Sequence, residues 1–489
     1  MKSPTKAEPA SIEPRLLRLF AVLLGIFLGL TLLKFPNPPI FADAVTPPTD
    51  IYQFVLTSWP TLWAYGLLGV LTVLGLVMAK WNAGAPRWLV ALPLAWLIWQ
   101  LAASLLSVDV RLSYQTVAHL FACTVCFYLG YFSLSRIRSL SGFWIGLIIA
   151  FLLVLAVGCH QQFGGLAQTR EFFYQTDYLD YQAKGIPVPP EYLKKLESTR
   201  IFSTLFYPNA LAGALLLFLP VMLGLAAQSQ RFTLGARRFL VGVIGIAALA
   251  CLYWSGSKGG WLIMLLLGLL FLLQLRFNRR YKMAVVALAL ILGLSGFVWK
   301  NAGFFRKGAP SVSARFDYWH AAVLTAIAHP LFGTGPGTFS IPYRQLRRPE
   351  AEPSKLVHND YLEQASDSGW PGFLAYTAFI VAALAWSAPS VLRSLVETSN
   401  AAAGGRLPGG RMSAGQFSNP ENSVLPGRAG PADPAKDWTC FLIWLGLLGW
   451  SLQGLMEFGL YIPALAWPAF TLMGLILGRN AIDKPAAPS

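Results

Sequence analysis

The sequence predicts an all-α integral membrane protein with about twelve transmembrane helices. Three observations carry this. Of 489 residues, 55% are hydrophobic and only 12% charged, against about a quarter charged in an ordinary soluble domain, whose surface could not hide so much apolar area. The 17 Trp, 17 Tyr and 32 Phe supply the amphipathic rings that settle at headgroup depth. The apolar residues are also gathered into runs of roughly 20, the length at which a helix crosses the hydrocarbon core of a bilayer.

These runs begin near Leu16, Thr61, Trp88, Thr116, Phe143, Leu205, Phe239, Gly260, Met283, Gly372, Trp438 and Phe458. The first follows Lys2, Lys6, Arg15 and Arg18 and lacks a small-x-small cleavage pattern, so it reads as a span that stays in place. Lys80 with Arg87, Arg136 with Arg138, Arg231 with Arg237 and Arg238, and Arg276 with Arg279, Arg280 and Lys282 fall in alternate loops. The positive-inside bias puts these on the cytoplasmic side, and with twelve spans both termini share it. The formal charge of +16 is thereby explained by short connecting segments. No basic and aromatic stacking surface accompanies it, and no nucleic acid partner is expected.

On this reading residues 1–159 hold the first five helices, 160–204 form an outer loop, and 205–300 hold the next four. Residues 301–371 form a larger outer loop, 372–388 the tenth helix, and 438–489 the last two helices and a tail. The stretch 389–437, rich in Gly, Ala, Ser, Pro and Asn, is expected to be a disordered cytoplasmic linker. Loops as long as the two outer ones usually carry function. The turn Ser255-Gly256-Ser257-Lys258-Gly259-Gly260 should reach the same face, so three outward elements can converge.

Four cationic or titratable positions stand out there. His358, in Val357-His358-Asn359-Asp360-Tyr361, belongs to the residue type whose ordinary pKa lies nearest neutrality, and it could pass a proton to or from a substrate; a histidine bonded at a helix start is the plainer alternative. Arg315, in Ala314-Arg315-Phe316-Asp317, offers a fork of donors matched to phosphate oxygens, or else pairs with Asp317 or a neighbour. Lys258 lies in a glycine-rich break between apolar runs, where a cation is costly unless water, a headgroup or a bound anion meets it. Arg200 precedes Tyr207-Pro208-Asn209, in which Pro208 and Asn209 either start a helix or help bind substrate. Three cations and a histidine on one face suggest an anionic substrate.

Asp360 and Glu363 are rival base or substrate-binding candidates, since carboxylates serve glycosyl chemistry; at i,i+3 they share a helix face, which could equally be a solvated one. The cluster Gly333, Gly335 and Gly337 looks like a phosphate cradle, but without a preceding strand a tight turn is the better reading. Cys123 and Cys126 lie within an apolar run with no second pair, which argues for packing and against a zinc site. No metal-binding cluster is evident.

In their order, the segments Arg200–Ala212, Ser255–Gly260, Arg315–Trp319, Gly333–Phe339 and His358–Gly372 resemble the O-antigen ligase and O-antigen polymerase superfamily of bacterial inner-membrane proteins. The resemblance spans roughly Arg200 to Phe373. It implies a GT-C-like, twelve-helix, inverting glycosyltransferase that needs no metal or cofactor and works from periplasmic loops. The implied donor is a glycan on undecaprenyl diphosphate. The implied acceptor is a sugar hydroxyl on lipid A-core or another glycan, with membrane lipids around the protein. Family arginines that hold the diphosphate and a loop histidine needed for transfer carry over to Arg315 and His358, and Arg200 matches by position. Lys258 stands where family members commonly have arginine, and it keeps the charge without the planar fork. A polysaccharide polymerase, a protein-directed oligosaccharyltransferase of the same superfamily and a polytopic transporter are the alternatives. Candidate residues gathered at one face favour the enzyme, since transporters place charged sites near the midplane.

Overall fold

Every one of the twelve apolar runs falls on a helix. A computed structural model describes residues 12–80, 85–175, 177–185, 187–188, 193, 196–205, 207–275, 278–306, 309–388 and 434–482, and among them there is no strand. The principal helices are α1 (Ile12–Lys34), α2 (Thr61–Met78), α3 (Arg87–Leu105), α4 (Val110–Tyr128), α5 (Ser141–His160), α6 (Pro208–Gln228), α7 (Leu234–Ser255), α8 (Lys258–Gln274), α9 (Arg279–Arg306), α10 (Pro310–Ala328), α11 (Ser340–Leu346), α12 (Asp360–Ser387), α13 (Pro434–Gln453) and α14 (Pro463–Ile482). Among the described residues nine are long and apolar enough to cross a membrane: α1 to α7, α9 and α12. Helix α8 and the Trp438–Gln453 part of α13 are apolar but shorter.

The ends are set locally. Asp109 caps α4 by accepting from Leu112 N, Ser257 caps α8 by accepting from Gly260 N, and Asn359 caps α12 by accepting from Tyr361 N and Leu362 N. Pro208 opens α6 at a position whose N–H would be unpaired anyway.

Helices α6 and α14 are apolar all round and form the centre: residues 210–222 and 463–479 are buried. Glycines let their neighbours approach to backbone contact, the usual packing device between membrane helices. A Cβ on Gly446 of α13 would lie 2.1 Å from the Leu217 carbonyl oxygen of α6, and one on Gly474 of α14 would lie 2.0 Å from that of Phe127 on α4. Gly25 of α1 meets the Phe143 carbonyl of α5 in the same way. Arg136 donates to Met78 O and Arg479 to Ile137 O, which gathers the C-terminal ends of α2, α4 and α14 at one end of the bundle.

Three expectations change. The segment 301–371 is largely helical: α9 runs on to Arg306, α10 and α11 follow, and α12 starts at Asp360, well before the apolar run at Gly372. Its first turns are polar yet buried, so hydropathy could not reveal them. Helix α12 then breaks at Ser368 and Gly369 (φ 69°) and continues through Pro371. The loop at 160–204 likewise contains helices Leu166–Gln175 and Asp177–Ala183. The last run begins at Pro463 instead of Phe458, because 454–462 is an irregular turn. The expected linker at 389–437 falls mostly on 389–433, outside the described residues.

The α1–α5 contact is directly testable. Gly25→Leu should lower the melting temperature in detergent by about 5 °C or more, as an overpacked helix contact. Gly66→Ala, where a Cβ meets nothing within 4 Å, should leave it within about 2 °C.

Candidate active site

At the end of the bundle away from Arg136 and Arg479, the turn between α13 and α14 folds back into the protein. It is held from several sides. Asp360 N donates to Gly454 O (2.7 Å) and Asn359 Nδ2 to Leu455 O (3.0 Å). Leu460 N donates to both carboxylate oxygens of Asp360 (3.1 and 3.0 Å). From α4, His119 Nε2 bonds Leu460 O at 2.8 Å, while its Nδ1 accepts from Trp467 Nε1 at 3.2 Å.

This turn carries Glu457 inward, where it is only 6% exposed. A carboxylate so placed needs compensation, and four side chains supply it. Arg315 Nη2 and Asn209 Nδ2 (2.6 Å) donate to Oε1. Tyr207 OH donates to Oε2 at 2.9 Å, and His358 Nδ1 stands 3.2 Å from the same oxygen. Burial by itself would push the Glu457 carboxyl up, but the His358 hydrogen bond, the Arg315 charge and the Tyr207 hydroxyl together hold it below the ordinary carboxylate value. Burial, reinforced by the Glu457 charge, pushes the Tyr207 phenol well above its usual value, so it remains a donor.

Each sequence-predicted cation has a fixed position. Arg200 donates through Nε to Ser255 O (2.7 Å) and through Nη2 to Asn209 Oδ1 (2.8 Å), which joins it to the Glu457 cluster. Burial lowers its pKa, with Glu457 opposing and Arg315 adding to the fall. Its approach is set by Gln161, which accepts from Phe202 N and Ser203 N (3.0 and 2.7 Å) and donates to Ser203 O (3.0 Å). Ser203 is thereby held in the left-handed region (φ 57°).

Arg315, on α10, also donates to Met456 O and Ser311 O, both at 2.9 Å. Three of its five N–H groups have acceptors among the described residues. Lys258 is the first residue of α8, with Nζ 3.8 Å from the Phe304 ring centroid.

His358 precedes the α12 cap with φ 55°, a conformation that a non-glycine residue keeps only when its surroundings impose it. The surroundings are visible. The ring stacks on Tyr318 (5.7 Å between centroids) and meets the Phe458 ring edge-on (4.8 Å). Its carbonyl accepts from Trp319 Nε1 at 3.4 Å. With Nδ1 turned to the carboxylate, Nε2 is the ring nitrogen that faces away from it.

Arg200, Asn209, Arg315 and His358 therefore converge on Glu457, with Lys258 close enough for Arg200 and Arg315 to act on it as like charges. Asp360 and Glu363 stay out of this cluster. Both are buried, so the solvated-face alternative fails. Asp360 secures Leu460, and Glu363 Oε2 accepts from Val357 N at 3.1 Å. Asp317 pairs with Arg348 instead of Arg315.

The glycine cluster is a packed turn. Gly333, Gly335 and Gly337 all have positive φ, Gly337 N donates to Asp367 Oδ2 (2.6 Å), and Gly335 N to Asp367 O (2.9 Å). The Asp367 carboxylate takes the Gly337 amide, and backbone carbonyls take those of Gly333 and Gly335, so these amides are not open to a phosphate. Cys123 and Cys126 are buried in the helix packing.

Glu457 is the member of the site that sequence reading overlooked. Its signal was present: a lone carboxylate between two apolar runs is expensive unless something pairs with it.

Residues 242–377 match the family model described as O-antigen ligase, a stretch that includes Lys258, Arg315 and His358. No curated protein matches the chain. Over that segment the chain is similar to the O-antigen ligase family, and its described residues have a helical, multi-pass architecture.

Proposed function

We propose that the protein is a ligase-type glycosyltransferase that moves a glycan from undecaprenyl diphosphate to a sugar hydroxyl of lipid A-core at the periplasmic face of the bacterial inner membrane. The observation that carries this reading is the convergence of Arg200, Arg315 and His358 on the buried Glu457. The arginines are anchored by part of their donors and keep the rest free for phosphate oxygens. A histidine oriented by a carboxylate stands beside them.

In the proposed step the acceptor hydroxyl oxygen attacks the anomeric carbon while the bond from that carbon to the phosphate oxygen breaks. The electron pair leaves with the diphosphate, whose growing charge meets Arg315, Arg200 and Lys258, and such preplaced charges stabilise it better than mobile water does. His358 Nε2 takes the hydroxyl proton. Glu457 holds the Nδ1 proton in place and balances the imidazolium that forms, as a carboxylate does behind other catalytic histidines. Direct displacement inverts the anomeric centre.

The test is expression in a host lacking its own O-antigen ligase, with glycan ladders on lipid A-core as the readout and cognate donors supplied. His358→Ala should reduce transfer by about 10²–10⁴-fold at equal protein level, the usual worth of a general base. An unchanged ladder would remove His358 from the chemistry. Glu457→Gln keeps the shape and removes the charge, so turnover should fall by about 10²-fold or more with a smaller change in donor KM. A change confined to KM would make Glu457 a binding group only. Polymer building up on the carrier lipid would instead mark a polymerase, and no transfer with any cognate donor would return the transporter reading.

A further inference from the structure

The turn between α7 and α8 borders a small cleft lined by two lysines. Its lining includes Tyr253, Gly256, Ser257, Lys258, Trp261 and Lys300. Lys300, on α9, donates to Tyr253 O, and its Nζ lies 3.0 Å from the Tyr253 ring centroid and 5.9 Å from that of Trp261. Lys258 Nζ lies over Phe304. Among the described residues neither lysine has a carboxylate partner. Aromatic faces hold an ammonium group in place but do not cancel its charge.

The two lysines also belong to a larger field. Lys258 and Arg200 act on Lys300 as like charges, and Arg200 and Arg315 act on Lys258. Arg200, Lys258, Lys300 and Arg315 are four cations, and Glu457 is the acid that reaches two of them, so the group carries an excess of three positive charges. Partly desolvated like charges stay together at a cost unless an anion completes the site. The anion that fits has several negative oxygens. An ammonium is a point donor without the fork of an arginine, so two of them facing one cleft supply what one guanidinium would.

We propose that Lys300 is a further substrate-binding residue, acting with Lys258 as a two-pronged clamp on one phosphate of a lipid diphosphate. This rests on the diphosphate donor proposed above.

The test uses the full chain in nanodiscs of zwitterionic lipid, with equilibrium binding of undecaprenyl diphosphate and of phosphatidylglycerol measured alongside glycan transfer. Lys300→Gln should weaken diphosphate binding about tenfold, the worth of one charged hydrogen bond. Lys300→Arg should restore it to within about threefold. In a Lys258→Arg background the loss from Lys300→Gln should shrink, because the guanidinium supplies the second donor; a purely structural role for Lys300 would give the same loss in both backgrounds. Diphosphate binding unchanged in Lys300→Gln, while the unsubstituted protein still transfers glycan, would overturn the clamp and leave the reaction standing. An equal loss of phosphatidylglycerol binding would make the cleft a headgroup site and overturn the assignment. A Lys300→Arg variant as weak as Lys300→Gln, with an unaltered gel-filtration profile, would show that packing and not charge is at stake.

Discussion

The structure turns on one carboxylate kept ionised inside a membrane protein. Glu457 is buried at the mouth of the bundle, and removing an unpaired ion from water costs several kcal/mol. It is affordable there only because Arg315, Asn209, Tyr207 and His358 reach it from three separate elements. The requirement runs in both directions. The carboxylate needs these partners, and as their common acceptor it ties Arg315 on α10 to His358 in the turn before α12.

Around this pair of needs the rest of this end of the bundle is organised by backbone bonds. Leu460 is gripped through its N–H by Asp360 and through its carbonyl by His119, so the turn that bears Glu457 cannot swing toward solvent. Asp367 does comparable work for the glycine turn, whose positive-φ residues bring backbone to within contact of α12. Acidic residues that resemble catalytic carboxylates in sequence are thus spent on holding loops. The carboxylate shared by Arg315 and His358 lies about a hundred residues further along the chain.

A cationic site of this kind is also a charge-balance problem. Arg200, Arg315, Lys258 and Lys300 repel one another across a partly buried space, and the single acid among them leaves the balance positive. An anion that offset this balance would stabilise the site by mass action.

By itself the sequence determined the class of the protein, the twelve helical runs and the candidate cations, because these depend on composition and local spacing. A run of apolar residues has no other stable form in a bilayer than a helix, and Arg200, Lys258, Arg315 and His358 are visible as charges in breaks between such runs. Tertiary structure alone decided which of them meet. It placed Glu457 at their centre and sent Asp360 and Glu363 inward to hold backbone. It also turned the polar start of α12 into a buried helix. Those outcomes depend on contacts between residues hundreds of positions apart, such as Tyr207 with Glu457 and His119 with Leu460, and periodicity carries no information about partners at that separation.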